Sequence, residues 1–419
     1  MKIPELLAPA GNLEQLESAI LYGADAVYLG AEGLNLRAAR GFSLEQIRTA
    51  CRVARGRGVR VYLCLNALPG PRQMARMRQT LEEATDLGVD GLIMADAGCI
   101  RLARRICPQI PVHLSTQANT RNADSVLFWQ DQGVSRVNLA RELNLLEIRS
   151  IVRACADVEC EVFAHGALCL ALSGQCLLSA WCNERPANLG RCTQPCRFAY
   201  RNVRMAVEEE LRPQSILWEA AAEGGGFSAF WAPDDLCLLR YLGWFVRQGI
   251  AALKIEGRMR TGAYVAQTVD AYRTALSLLK KAPGQRRTDF STCLRELALS
   301  SSRALSSGFF LLRRVVMPVV ESQPQLLARV EWREGDAWRV SVRGRWNSAQ
   351  SVVALLPGLE RPELAAGSYT FENHRGERCA EVHSGVNALL FGVSIALEPG
   401  VYVRSASSIK TACTQLQSF

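Results

Sequence analysis

The feature that most constrains the fold of this chain is an alternation that recurs eight times within its first 260 residues. Each time, a short apolar run ends in polar or glycine residues, and a stretch with helical spacing follows. The eight runs are ELLAPAG (5–11), AVYLGA (26–31), VRVYLCLN (59–66), GLIMAD (91–96), VHLSTQAN (112–119), RVNLAR (136–141), CEVFAHG (160–166) and ALKIEGR (252–258). Strands that alternate with helices form right-handed βαβ units and a parallel sheet. Eight of them predict a closed (β/α)8 barrel, with a doubly wound open sheet as the alternative.

Polar and charged side chains follow these runs, at the C-terminal ends of the predicted strands. Catalytic groups of barrel enzymes lie at that face. We therefore predict a pocket with substrate-binding residues Asn66, Asp96, Ser115, Gln117, Asn119 and Arg141 and catalytic residues His165, Lys254, Glu256 and Arg258. Two alternatives stay open: Asn119 and Glu142 suit helix caps, and a lone histidine after a strand is more often structural than catalytic.

An unusually long stretch, 167–250, separates the seventh run from the eighth. Long insertions on barrel loops usually carry function. We assign 1–300 to the barrel domain with this insertion. From 324 to 404, apolar and polar residues alternate around turn signals, which predicts a small C-terminal β domain resembling a barrel. Residues 405–419 read as a loose tail.

Four cysteines of the insertion have the spacing Cys169-x6-Cys176-x15-Cys192-x3-Cys196. Thiolates are ligands of zinc and of iron–sulfur clusters. Structural zinc usually binds closer pairs, C-x2-C twice, so the irregular spacing favours a [4Fe–4S] cluster. The chain has fifteen cysteines, however, and spacing alone leaves a cluster and coincidence nearly equal. A cysteine nucleophile paired with His165 would make a protease, but no local signature identifies such a cysteine.

Composition points to a folded, cytoplasmic protein. Hydrophobic residues make up 49% and charged residues 21% of the chain. No apolar run long enough to span a membrane and no export signal is present, so we expect no membrane partner and reduced thiols. The net charge of +9 suits RNA. Only five residues are lysine, however, and a GC-rich genome produces the same arginine bias without any function.

Five motifs in order resemble the collagenase-like peptidase family, peptidase family U32: ELLAPAGNLEQLESAILYGADAVYLG, VHLSTQANTRN, EVFAHGALCLALSGQCLLS, GRCTQPCRFAY and LKIEGRMRTGAYV. The resemblance covers roughly 1–285 and is strongest to the tRNA-hydroxylating branch. It implies oxygen-independent hydroxylation of a tRNA wobble uridine to 5-hydroxyuridine. Other members of the family hydroxylate 23S rRNA or ubiquinone precursors.

The resemblance also implies a cofactor and partners. The family's cluster ligands fall on Cys169, Cys176, Cys192 and Cys196, with Cys237 as the reserve fourth ligand. Prephenate is implied as a co-substrate, with tRNA as substrate, a small-molecule oxygen donor and no DNA. Gln175 departs from the branch, in which arginine is common. The alternatives are a peptidase, a hydroxylase of another substrate, or an RNA- or protein-binding accessory with a structural metal.

Overall fold

The computed structural model of the protein describes residues 2–36, 41–169, 171–200, 205–209, 212–220, 232–281, 289–320, 323–373 and 375–406, with the backbone alone for 205–209 and 212–220. The predicted tail from residue 407 onward lies outside the described residues. No helix in the described ranges is long and apolar enough to cross a membrane.

Eight parallel strands form the first sheet and close on themselves. They are β1 (Glu5–Pro9), β2 (Ala26–Gly30), β3 (Arg60–Leu65), β4 (Gly91–Met94), β5 (Val112–Leu114), β6 (Val134–Asn138), β7 (Glu159–Ala167) and β11 (Ala252–Ile255). Three strands of the insertion lie between β7 and β11 in the chain: β8 (Met205–Glu209) and β9 (Arg212–Ala220), which pair with each other, and β10 (Asp235–Cys237), which pairs antiparallel with the end of β7. β11 pairs in parallel with both β1 and β7, which closes the barrel. The predicted (β/α)8 barrel is confirmed, with a strand in each of the eight runs.

Helices lie between the strands and cover the barrel. They are α1 (Leu13–Leu21), α2 (Leu44–Arg55), α3 (Met74–Leu87), α4 (Ala97–Ile106), α5 (Ala123–Asp131), α6 (Leu145–Ala154), α7 (Leu178–Asn183), α8 (Leu242–Gln248), α9 (Gly262–Lys280) and α10 (Phe290–Ser300). Side-chain caps mark several starts: the Asn12 oxygen accepts from Gln15 N, and Ser43 forms a capping box with Gln46. The Asn12 cap lies three residues after the end of β1 and begins α1, so a short loop joins this strand to its helix.

The barrel interior contains a buried ionic network as well as apolar side chains. Side chains alternate between the two faces of a strand. Leu7, Tyr28 and Ile93 belong to a small apolar cluster of barrel-strand residues. Below them Arg136 on β6 donates to Glu5 on β1 at 3.1 Å and to Glu159 on β7 at 2.7 Å. Opposite charges therefore hold strands from different sides of the barrel together.

After the barrel helices, the chain adds two short strands to the barrel sheet and then forms a second sheet. β12 (Leu305–Ser306) pairs with β10, and β13 (Val316–Met317) pairs with β12. The later strands are β14 (Leu326–Glu334), β15 (Ala337–Val342), β16 (Trp346–Asn347), β17 (Val352–Leu355), β18 (Glu363–Leu364), β19 (Thr370–Glu372), β20 (Arg378–Cys379), β21 (Glu381–Val382), β22 (Asn387–Phe391) and β23 (Tyr402–Ser405). Eight of them form a sheet in the order β18-β17-β23-β14-β15-β22-β19-β20.

This second sheet has a hydrophobic core of its own and docks on the barrel through polar contacts. Trp346, Tyr369 and Phe371 pack in that core. Arg404 on β23 donates to Glu296 on α10 at 2.8 Å, and both side chains are buried. The structure therefore shows a separate C-terminal core, while the domain limits at 300 and 324 stay a prediction.

Candidate active site

A cavity of about 160 Å³ lies at the C-terminal ends of the barrel strands. It brings together most of the side chains predicted to form the pocket. The predicted residues that line it are Asn66, Ser115, Gln117, Arg141, Cys169, Cys176, Cys192, Cys196, Lys254, Glu256 and Arg258. The inserted loop thus supplies four thiols to the same space into which the strand ends project polar groups.

Two predicted pocket residues act as helix caps outside the cavity. Asp96 accepts a hydrogen bond from Cys99 N at 2.8 Å and begins α4. Asn119 ends the short 3-10 helix of residues 116–118 with a φ of 51°, whereas Asn122 caps the following helix, α5, so the cap expected there from Asn119 is wrong. Helix capping explains the Asp96 carboxylate without a ligand, whereas Asn119 Oδ1 is buried and has no hydrogen-bond partner among the described residues.

Glu142 does not cap a helix, so the helix-cap alternative for it is wrong. Asn144 and Glu147 cap α6. Glu142 instead accepts hydrogen bonds from Ser173 N at 2.5 Å and Ser173 Oγ at 3.2 Å. Because Ser173 lies between Cys169 and Cys176, Glu142 anchors the cysteine loop to the end of β6.

His165, the third predicted residue outside the cavity, faces the helices. Strand periodicity alone places it on the same side of β7 as Glu161 and Phe163. The register with β11 shifts between Lys254 and Ile255, and this irregularity reverses the direction of the following side chains. The His165 ring consequently packs against Tyr272 of α9, with ring centroids 5.5 Å apart.

The environment of His165 keeps the imidazole neutral. The side chain is 1% exposed. Burial, with a smaller effect of the Arg260 charge, lowers its pKa to about 3. Its Nδ1 lies 3.5 Å from Tyr272 Oη. This placement agrees with the structural alternative for a lone histidine and separates His165 from the cavity.

Close backbone contacts hold the cysteine loop over the strand ends. Gly174 has a φ of 78°, and a Cβ there would lie 2.2 Å from the carbonyl oxygen of Gln117. Asn188 Nδ2 donates to the Gly174 carbonyl at 3.2 Å. Arg197 donates to the Leu168 carbonyl at 2.9 Å, which joins the two halves of the loop. The exposed Gln175 does not line the cavity.

The four thiols interact with one another and with nearby donors. The N–H of Gln194, whose φ is 57°, donates to Cys192 Sγ at 3.3 Å. Burial raises the pKa of the Cys196 thiol, Arg197 lowers it, and the charges of Cys169, Cys192 and Cys176 raise it. An N–H donor and a guanidinium both stabilise thiolate, the form in which cysteine binds metals.

The residues that would hold a metal centre are the four cysteines around the cavity, and thiolates are ligands of zinc and of iron–sulfur clusters. Within the described residues, no group of three or more His, Cys, Asp or Glu side chains is placed to hold one metal ion. One zinc ion requires all its sulfurs at about 2.3 Å from a single point. In a [4Fe–4S] cluster each cysteine binds a different iron, so the ligands stand farther apart. The four thiols around the cavity supply the number of ligands that either centre needs.

Two other cysteines of the insertion, Cys182 and Cys237, lie apart from this set. Cys237 on β10 is 1% exposed, and its Sγ is 4.0 Å from Tyr272 Oη on the helix side of the barrel wall. Cys182 is exposed and does not line the cavity. The structure therefore groups Cys169, Cys176, Cys192 and Cys196 around the cavity and leaves Cys182 and Cys237 outside it.

Several lining residues were not singled out from the sequence. These are Tyr28, Cys64, Asn138, Asn188, Gln194 and Arg197, with others contributed by apolar positions. Below them the buried carboxylate of Glu161 accepts from Lys254 Nζ at 2.9 Å and Asn138 Nδ2 at 2.7 Å. Asn138 and Glu161 lie three and five residues before the ends of their predicted runs, at 141 and 166, so the alternation of side chains counted from those ends does not single them out. Cys64 lines the cavity although it is a buried cysteine within a strand, a position where cysteine usually acts as a small core hydrophobe.

Fold and site together define a (β/α)8-barrel protein with a thiol-lined, cation-rich cavity at its C-terminal face. The family model described as peptidase family U32 matches residues 11–316. The chain belongs to peptidase family U32, which confirms the resemblance seen in its motifs.

Three relatives illustrate the range of this similarity. The chain is 37% identical to tRNA hydroxylation protein P1 of Bacillus subtilis over 311 residues, 74% of this chain and 71% of that protein. It is 33% identical to tRNA hydroxylation protein P of Escherichia coli over 400 residues, 84% and 86% of the two chains. A 23S rRNA 5-hydroxycytidine synthase of Escherichia coli is 33% identical over 280 residues, 67% of this chain and 40% of that protein.

Proposed function

We propose that this protein is an RNA hydroxylase that forms 5-hydroxyuridine at the wobble position of tRNA without molecular oxygen, using a [4Fe–4S] cluster. The observation that carries the proposal is the grouping of Cys169, Cys176, Cys192 and Cys196 in one cavity with the polar strand ends. Similarity to two proteins named for tRNA hydroxylation over most of their length supports the choice of substrate.

The four cysteines would hold the cluster, and the loop contacts would maintain their positions. A [4Fe–4S] cluster supplies one-electron redox chemistry or an iron that binds a substrate oxygen. Arg197 and the Gln194 N–H would stabilise the thiolates, and Glu142 would fix the loop through Ser173. These are tasks of the protein's own side chains.

The charge of the cavity supports an anionic co-substrate. Among the described residues, four cationic side chains line the cavity, Arg141, Arg197, Lys254 and Arg258, and one carboxylate does, that of Glu256. Carboxylates and phosphates bind strongly to such groups through charge-assisted hydrogen bonds. Prephenate, which carries two carboxylates, is our proposed co-substrate, and a small molecule would supply the hydroxyl oxygen.

Roles within the cavity follow from burial and reach. Glu256 lines the cavity and is half-buried, so it is the proposed proton-transfer group. Lys254 is 4% exposed and held by Glu161, so it would orient an anion rather than move. His165 has no part in this proposal because its ring faces α9 and not the cavity.

RNA would bind mainly to the barrel half of the chain. Residues 323–406 contain nine arginines, nine acidic residues and no lysine, so their net charge is zero. The net charge of +9 therefore lies in the rest of the chain. Phosphate contacts from arginine would hold the RNA backbone there, and binding would weaken as salt rises.

Iron and sulfide analysis after anaerobic purification tests the cofactor. We expect about four irons per wild-type chain and loss of that iron in Cys169→Ser. Cys182→Ser is the matched control, because Cys182 lies in the same loop but outside the cavity. Stoichiometric zinc, or full iron in Cys169→Ser, would contradict the cluster.

Nucleoside mass spectrometry tests the substrate. RNA from a deletion strain is expected to lack 5-hydroxyuridine in tRNA, and wild-type protein but not Cys169→Ser is expected to restore it. Loss of a modified nucleoside from 23S rRNA instead would reassign the substrate. Cleavage of denatured collagen by the cysteine-substituted protein would favour the peptidase alternative.

A further inference from the structure

Arg258 differs from the other buried basic side chains of this protein. Four basic side chains are buried in the described ranges: Arg136, Lys254, Arg258 and Arg404. Arg136 pairs with Glu5, Lys254 with Glu161, and Arg404 with Glu296. Arg258, which is 6% exposed, meets no carboxylate of the described residues within ion-pair distance. A buried charge without a counter-charge is costly, so its presence in a cavity points to a ligand that completes it.

A neutral amide takes the place of the missing carboxylate. Arg258 Nη1 donates to Asn35 Oδ1 at 3.2 Å. The Asn35 amide is oriented by its other end, because its Nδ2 donates to the Ala31 carbonyl at 2.7 Å. The side chain is fully buried, and a Cβ on Gly30 would lie 2.3 Å from its Cγ. The amide oxygen is therefore aimed at the guanidinium by packing and by a second hydrogen bond.

The backbone contact of Arg258 and the ring of Tyr28 on β2 hold the guanidinium further. The Arg258 carbonyl approaches Gly11 so closely that a Cβ there would lie 2.1 Å from the oxygen. The guanidinium carbon lies 5.5 Å from the Tyr28 ring centroid. An amide and an aromatic face orient a cation without cancelling its charge. The remaining guanidinium N–H groups stay available for an anion in the cavity.

We propose that Asn35 is a specificity-determining positioning residue, which holds Arg258 as an uncompensated cation so that the cavity selects a ligand with a carboxylate or phosphate group. A carboxylate at position 35 would occupy the same place and neutralise the guanidinium. The ligand would be the anionic co-substrate or a nucleotide phosphate, so this inference rests on the proposed function for the ligand's identity alone.

Anion binding to the full-length purified protein tests the role of Asn35. Isothermal titration with prephenate and, separately, with uridine 5′-monophosphate distinguishes a carboxylate from a phosphate ligand. We expect wild type to bind one of the two probes. Asn35→Asp should weaken that binding by at least about tenfold, since a charge-assisted contact is lost. Asn35→Ala leaves the cation unpaired and should weaken it only a few-fold.

Two controls separate charge from folding. Asn144→Asp makes the same chemical change at the start of α6, where aspartate also caps a helix, and should bind like wild type. Arg258→Gln should lose binding as Asn35→Asp does. The proposal is overturned if neither probe binds wild type, or if Asn35→Ala loses as much affinity as Asn35→Asp. A negative result in these titrations would refute the role of Asn35 only. The hydroxylase proposal is tested separately by the nucleoside analysis.

Discussion

Replacement of Glu161 by glutamine should destabilise the barrel far more than its small change in volume suggests. Glu161 is 2% exposed and accepts from Lys254 Nζ at 2.9 Å, while Arg136 Nη1 lies 3.7 Å from its other oxygen. Arg136 keeps Glu5 after the change, at 3.1 Å. Lys254 has no second ion pair in the described residues. Glu161→Gln therefore leaves one buried cation without its counter-charge.

The expected loss in the free energy of unfolding follows from that single uncompensated charge. Removal of one partner from a buried ion pair typically costs about 3–5 kcal/mol. Replacement of both partners by neutral groups is often far cheaper. We therefore expect Glu161→Gln to lower the free energy of unfolding by about 3–5 kcal/mol. Adding Lys254→Met should restore about 2 kcal/mol of this loss.

Urea denaturation followed by far-ultraviolet circular dichroism measures these differences at constant pH and salt. Glu334→Gln is the surface control, because its pair with Arg339 at 2.7 Å is largely solvated and should be worth less than about 1 kcal/mol. The reasoning is wrong if Glu161→Gln behaves like that control. It is also wrong if the double variant loses the full sum of the two single losses.

Three further outcomes are expected. Gly174→Ala should unfold more easily and lose iron, because the new Cβ clashes with Gln117. Gly249→Ala is the control: its φ is 77° and no atom lies within 4 Å of the new Cβ, so it should lower the free energy of unfolding by only about 1 kcal/mol. Urea midpoints and iron content compare the two variants. The folded pKa of His165, about 3, lies below its unfolded value, so the unfolded chain binds more protons and stability falls as pH drops below 6.5. Between pH 7 and 5 wild type should lose about 2 kcal/mol more than His165→Gln, and equal slopes in urea titrations would contradict this. Arg404→Met removes the buried contact with Glu296 and should speed proteolysis between 300 and 326, while an unchanged cleavage rate would show that this contact does not hold the second sheet.

Much of the barrel could be predicted because its strands and helices are local patterns. A short apolar run followed by a capped amphipathic helix specifies a βα unit without reference to the rest of the chain. The repetition of that unit then allows few topologies, since crossovers are right-handed. For the same reason the strand ends predicted Asn66, Ser115 and Lys254 at one face, and the structure places all three around the cavity.

Other features depend on contacts between distant residues. The spacing of Cys169, Cys176, Cys192 and Cys196 resembles no compact metal motif. Their grouping depends on the contacts of Gly174 with Gln117 and of Ser173 with Glu142. Arg258 and Asn35 are 223 residues apart, and no local pattern joins them. Motif resemblance located the cysteines, but it did not indicate Asn35.

By itself, the sequence determined the eight-stranded barrel, the face on which the site lies and the family, because apolar periodicity and motif order are properties of the chain. Tertiary structure alone determined which polar residues reach the cavity. The register shift between β7 and β11 turns His165 away from the barrel interior. Packing against Gly30 aims Asn35 at Arg258. Closure of the sheet sets the direction of side chains after a strand irregularity and the contacts across the barrel. No single segment of the chain encodes that closure.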